Sequence, residues 1–168
     1  MAVFVLDKNK RPLMPCSEKR ARLLLERGRA VVVRLQPFTI RLKDRVGGIT
    51  QPVRVKVDPG SKATGVALVR EAPEGKHVMW LAEIQHRGHA IKAAMDQRRA
   101  FRRRRRSNLR HRAPRFDNRT RLAGWLPPSL RHWVDTTMSW VNRLQRLAPV
   151  TALSMELVRF DTQKLVNP

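Results

Sequence analysis

Val53-Arg54-Val55-Lys56-Val57-Asp58-Pro59-Gly60 is the stretch on which the reading of the fold turns. Its alternation of period two lays three valines on one face of a β-strand, and the strand ends at an acid. Pro59-Gly60 turns the chain and Gly65 permits a close or irregular backbone. Val66 to Val69 then reads as a second strand and, after Glu71-Ala72-Pro73-Glu74-Gly75-Lys76, Val78 to Ile84 as a third, which makes an antiparallel meander. Asp-Pro-Gly is in itself a common turn sequence, so Asp58 alone carries no chemistry. A second acid changes its meaning. Val150 to Met155 is an apolar run of the kind found in buried strands, and it terminates in Glu156. Between the two strands lies an amphipathic helix with Leu130, Trp133, Val134, Thr137, Val141, Leu144 and Leu147 on one face, Ser129 positioned to cap it and Pro149 to end it. That order can bring Asp58 and Glu156 together at one edge of a mixed sheet. Paired carboxylates suit Mg²⁺ (or Mn²⁺), which prefers a hard oxygen shell, and two such ions can clamp a phosphodiester during in-line attack by water.

Outward from this unit the chain becomes basic. Half of the positions from Arg98 to Arg121 are arginine, Asp117 is the only acid among them, and there is no lysine. Arginine offers a planar fork that binds phosphate bidentately and stacks on bases. Ala90 to Arg112 consists mostly of good helix formers between Gly88 and Pro114, so one helix is expected there. Ile91, Ala94, Met95 and Leu109 form a sparse apolar side that Arg98, Arg102 and Arg105 interrupt. Burial alone cannot hold such a helix, whereas phosphate around it turns guanidinium repulsion into attraction. A solvated or disordered basic tail is the bland alternative, and its partner is the same. The candidate nucleic-acid contacts are Arg98, Arg99, Arg102, Arg103, Arg104, Arg105, Arg106, Arg110, Arg112, Arg115 and Arg119. Lys10 and Arg11 join them near the N-terminus.

A net charge of +23 on 168 residues and a pI near 11.9 place the chain among nucleic-acid binders. No apolar run approaches a membrane span and the N-terminus is too short in apolar residues for a signal peptide, so a cytoplasmic, nucleoid-associated and non-secreted protein without a membrane partner is expected. The single cysteine, Cys16, excludes an internal disulfide, and the five histidines form no zinc pattern. Before residue 50, Val3 to Leu6 reads as a strand and Lys8 to Pro15 as a loop kept irregular by its two prolines. A helix follows from Ser17, with Ala21, Leu24 and Leu25 on its apolar side and Gly28 as its stop. Ala30 to Arg34 and Phe38 to Lys43 are β-rich runs split by Gln36-Pro37. The fold class is therefore α+β, grading into α/β: a small N-terminal α+β unit over 1–48, a meander over 52–86, a basic helix and linker over 88–121, and a helix with a final strand over 126–168.

Several motifs together resemble the N-terminal part of the IscB family, transposon-associated RNA-guided DNA endonucleases. Lys10-Arg11-Pro12-Leu13-Met14-Pro15 resembles the segment that names the family's PLMP domain, and VDPGSKATGVALV its first RuvC motif. Arg98-Arg99-Ala100-Phe101-Arg102-Arg103 resembles the arginine signature of its bridge helix. RFDNRTR with GWLPPSL, followed by LSMELVRFDTQ, is similar to the region that leads into and contains its second RuvC motif. The resemblance implies an RNase H-like (RuvC) core in which Asp58 and Glu156 are catalytic, metal-binding carboxylates. It also implies a bridge helix that contacts a structured guide RNA and the guide RNA–target DNA duplex. The family's HNH domain, third RuvC motif and target-adjacent-motif reader have no counterpart in these residues. Asp161, the only acid after Glu156, lies in a turn-like context. On this reading the chain is an incomplete nuclease that holds Mg²⁺ weakly and whose site is completed elsewhere, the missing segments in trans being one source. The alternative is a basic RNA-binding module that cuts nothing, and a ribosomal-protein-like role would leave the acid-ended strands without a reason.

Overall fold

The computed structural model describes residues 2–107 and 121–157. Leu109, Asp117, Asp161 and four of the candidate arginines, Arg110, Arg112, Arg115 and Arg119, lie outside the described residues. The chain is α+β, with two four-stranded sheets and three helices among the described residues, an arrangement compatible with an RNase H-like fold.

The first sheet has the order β2-β1-β4-β3 and comprises β1 (Val3–Leu6), β2 (Pro12–Cys16), β3 (Ala30–Arg34) and β4 (Thr39–Leu42), with β1 and β4 parallel. Lys8 to Pro15 is thus only partly a loop. Pro12 and Pro15 both lie in β2, which pairs antiparallel with β1 and occupies the sheet edge, where a missing N–H can face away from the ladder. Helix α1 (Glu18–Glu26) starts as its sequence predicts: the Ser17 hydroxyl accepts from the Arg20 N–H at 3.4 Å. Ala21, with Leu24 and Leu25 beside it, packs on Val3, Val5, Leu13, Ile40 and Leu42. Full burial of each such aliphatic side chain contributes about 1.5 to 3 kcal/mol.

The second sheet has the order β7-β6-β5-β8. Its central hairpin strands are β5 (Val53–Pro59) and β6 (Ala63–Ala72), with β7 (Gly75–Gln85) completing the meander. β8 (Val150–Met155) adds parallel to β5. Val53, Val55 and Val57 are buried, as their alternation predicts, and α3 (Pro128–Leu147) seals them with Val141, Leu144 and Leu147. Phe4 of β1 enters this same core and meets Trp80 edge to face at 5.7 Å, while the Ala2 N–H donates to the Met79 carbonyl at 3.2 Å. The two sheets therefore share side chains.

Two expectations fail at α3 and β8. Ser129 does not cap α3: the N-cap is Pro127, without a side-chain hydrogen bond, and the helix begins at Pro128, whose fixed φ suits the first helical position. β8 is not a buried strand. It lies at the sheet edge with Thr151, Leu153 and Met155 exposed, Leu153 by 50% and Met155 by 60%. Leu153 and Met155 sit in register with Val55 and Val57, yet the buried residues of α3 are gathered over β5 to β7 and leave them uncovered.

The arginine-rich segment forms α2 (Gly88–Ser107), two residues earlier at its start than its composition indicates. None of its side chains is buried; Ile91 and Ala94 are half-buried where α2 touches α3. No helix among the described residues is long and apolar enough to cross a membrane.

Candidate functional site

Asp58 stands in β5 directly after Val57, and Glu156 follows the last residue of β8, Met155. Val57 and Met155 are partners in the parallel ladder, and the Glu156 N–H donates to the Val57 carbonyl at 3.0 Å. The two acids are consequently adjacent across neighbouring strands, one register step past the last pair, at a strand spacing of about 4.8 Å. Both are exposed, and among the described residues neither carboxylate makes an ion pair or side-chain hydrogen bond. Sequence order alone made this meeting possible; the parallel pairing of β5 with β8 brings it about.

Two glycines keep this end of the sheet open. A Cβ at Gly60 would collide with the Ala63 carbonyl oxygen, so the turn after Asp58 accepts no side chain there without shifting. Gly65 is the cross-strand partner of Asp58, and a Cβ on it would lie 3.5 Å from the Asp58 Cβ. Its bareness leaves the Asp58 carboxylate clear. Beyond Gly65 the row continues to Glu83 of β7, two strands from Asp58, which sequence reading did not single out. Among the described residues no group of three or more His, Cys, Asp or Glu is close enough to hold a metal ion. Two adjacent exposed carboxylates are a donor set that fits one Mg²⁺ retaining several waters, and fall short of a two-ion site.

The second feature is the surface of α2, about 30 Å long for its 20 residues. Arg98, Arg99 and Arg102 to Arg106 are all exposed, and Arg98, Phe101, Arg102, Arg104 and Arg105 line an open groove of about 910 Å³. The last turn carries Arg104, Arg105 and Arg106, where cations complement the negative end of the helix dipole. Lys10 and Arg11 are exposed at the β1–β2 turn. That turn is built on a buried acid that composition gave no reason to notice. The Asp7 carboxylate accepts the Arg11 N–H at 2.8 Å and the Gly47 N–H at 3.0 Å. The Gly47 amide foremost, with those of Arg11 and Asn9, holds Asp7 below the ordinary carboxylate pKa against the opposing effect of burial. A further ion pair crosses the meander: Arg54 meets Glu71 at 2.6 Å, which holds the Glu71 carboxyl below its usual value.

A third feature escaped the sequence reading. Beside Pro59, Gly60 and Ser61, a cavity of about 400 Å³ opens between the end of β7 and the first turns of α2 and α3, with His86 and Trp133 in its wall. In the sequence His86 is one of five scattered histidines, and Trp133 is one position of an apolar helix face. No spacing in the sequence joins them, because they meet only through the packing of α3 against the end of the meander.

The family model of the RRXRR protein matches residues 3–168. This chain belongs to the RRXRR family. Arg102 to Arg106 in α2 satisfy the pattern in that description. No curated protein matches the chain.

Proposed function

We propose that this RRXRR protein is the N-terminal portion of an RNA-guided, Mg²⁺-dependent DNA endonuclease of the IscB type. α2, with Lys10 and Arg11, binds a structured guide RNA and the RNA–DNA duplex, and Asp58 and Glu156 form part of a RuvC-type active site. The observation that carries this reading is the adjacency of Asp58 and Glu156 at the ends of two parallel neighbouring strands, in a chain whose exposed helix carries seven arginines among its last ten residues. Arginine forks on α2 position the phosphate backbone without reading sequence, which base pairing to a guide would then supply. Asp58 and Glu156 would hold one Mg²⁺ or Mn²⁺ through their carboxylate oxygens, with Gly65 leaving room beside Asp58. A bound ion would supply Lewis-acid polarisation of a phosphodiester oxygen. Orientation of the attacking water and a second carboxylate cluster fall to further segments in cis or in trans, so these 168 residues alone do not cut DNA. Such a protein works in the cytoplasm, at the nucleoid.

The test mixes the purified chain, its co-purifying RNA and a matched DNA duplex with Mg²⁺ or Mn²⁺, with and without the remaining RuvC and HNH segments added in trans. No nicking is expected from the chain alone. With the added segments, guide-dependent cleavage is expected, and Asp58→Ala or Glu156→Ala abolishes it. Cleavage by the chain alone that needs both acids refutes the division of the site.

The presence of only two converging acids among the described residues favours a second reading, a basic RNA-binding module without catalysis. Retained RNA binding together with no cleavage in any combination, and no Mg²⁺-dependent change that Asp58→Ala removes, selects it.

A further inference from the structure

Two residues that line the cavity beside the β5–β6 turn carry polar atoms without a partner among the described residues. His86 and Trp133 lie ring to ring at 5.6 Å between centroids and 59° between planes. One imidazole nitrogen is committed: Nε2 lies 2.7 Å from the Thr64 hydroxyl, itself buried between β5 and β7. The other, Nδ1, is buried without a partner among the described residues, and so is the indole Nε1 of Trp133. Buried polar atoms in a native fold are nearly always paired, and both of these exceptions belong to residues that line one cavity. Burial lowers the His86 pKa, with the nearby His132 acting in the same direction, so the ring is neutral at physiological pH. A neutral imidazole offers Nδ1 as donor or acceptor according to how the Thr64 hydroxyl is turned, while the indole N–H only donates.

The rest of the lining narrows the class of ligand. Pro59, Gly60 and Leu130 give it an apolar wall, and about 400 Å³ is within the range of small-ligand pockets. Lys92 and His89 stand at the rim, on the first turns of α2. Neither α2 nor α3 has an acid in its first turn, and both helices present that positive end to the cavity. A flat heteroaromatic ring joined to a phosphate matches an apolar lining, two aromatic side chains and a lysine beside them. Lys92 precedes Arg98 by six residues, roughly 9 Å along the helix, so a strand lying on the arginine surface passes the mouth.

We infer that this cavity receives one unstacked nucleobase of a single-stranded nucleic acid whose backbone runs along α2, with Lys92 on its phosphate and the His86–Trp133 pair against its base. The inference rests on the nucleic-acid reading of α2 and adds to it a site for a base. Stacking on aromatic side chains is tolerant of sequence, so the pocket anchors a strand rather than reading it.

The experiment uses the full chain and three end-labelled dodecamers: oligouridylate, oligothymidylate, and an abasic strand with the same number of phosphates. In the unmodified chain, iodinated versions of the first two should photocrosslink to His86 or Trp133, identified by mass spectrometry; which of them does so separates an RNA occupant from a DNA one. Trp133→Phe keeps the packing and removes the N–H. Leu130→Phe narrows the mouth at a residue that is 51% exposed and so leaves folding intact. Each should weaken binding of the base-bearing strand by about three- to tenfold, leave the abasic strand unaffected, and leave the salt slope unchanged, since stacking releases no counterions. Strand binding with a normal salt slope, but without crosslinks in the cavity and with both variants equal to the parent chain, overturns the pocket and leaves the reading of α2 intact. Absence of binding by all three strands and by the co-purifying RNA overturns both.

Discussion

Helices α2 and α3 have the same length, 20 residues each, and opposite supports. α3 buries Val141, Leu144 and Leu147 in the core of the second sheet, so its place follows from removing apolar surface from water. α2 has no fully buried residue, with Ile91 and Ala94 half-buried, and carries seven exposed arginines, Arg98, Arg99 and Arg102 to Arg106, whose mutual repulsion opposes the helix. One helix is a part of the scaffold, and the other is a surface that the scaffold holds out. Their first turns meet at a single cavity, where the two kinds of helix share a boundary.

The strongest way to break this comparison is to change the charge of α2. Replacing Arg98, Arg99, Arg102, Arg103, Arg105 and Arg106 by Gln should flatten the log–log salt dependence of RNA binding by about four to five units and weaken binding at physiological salt by roughly a thousandfold or more. The thermal midpoint should barely move, because none of these side chains is buried. An unchanged slope would remove α2 from the binding surface.

The converse change belongs in α3. Leu144→Ala, at a fully buried position, should cost about 2 to 5 kcal/mol, read as a lower denaturant midpoint, while the salt slope of whatever remains folded stays as it was. A loss of slope with intact stability would reverse the roles assigned to the two helices.

Acid sharpens the distinction between scaffold and surface. Asp7 has a folded-state pKa below its ordinary value, so the stability it contributes is present above that ordinary value and is lost as the pH falls through the lowered one. Glu71, held low by Arg54, acts in the same direction. Denaturant midpoints measured from neutral pH down to strong acid should therefore decline, and the decline should be shallower in Asp7→Asn, which starts from a lower midpoint. An equal decline in both proteins would show that Asp7 is not part of the acid response.

The smallest effect lies on the exposed side of α3. Arg131 and Asp135 form a pair one helical turn apart, at 3.1 Å and largely in water, so Asp135→Ala should cost about 0.3 kcal/mol, diminishing in high salt. A cost above about 1 kcal/mol would mean that this side of the helix, too, belongs to the scaffold.

Much of the fold was legible because local rules and burial agree. Val53, Val55 and Val57 alternate and are buried; Ser17 caps α1 and Gly28, at φ 65°, lies just past its end. Local rules failed where an edge decides. Prolines that would break a central strand are tolerated in β2, and the apolar composition of β8 did not reveal that nothing among the described residues covers Leu153 and Met155. α3 begins at Pro128, with Pro127 and not Ser129 as its N-cap, since a proline already set at a helical φ suits the first helical position without a capping hydroxyl after it.

The sequence by itself determined the charge of α2, the faces of its strands, and the presence of an acid at the end of each of two strands, because these depend on residue type and period alone. Only the tertiary structure decided that β8 lies parallel beside β5, which makes Asp58 and Glu156 neighbours across nearly a hundred residues of chain. It likewise decided that His86 and Trp133, from a strand end and a helix start, close one cavity. The physical reason is the same in both cases. Which strand fills an edge and which helix turn meets which loop are set by the burial of the shared core, a sum over distant residues that no local pattern contains.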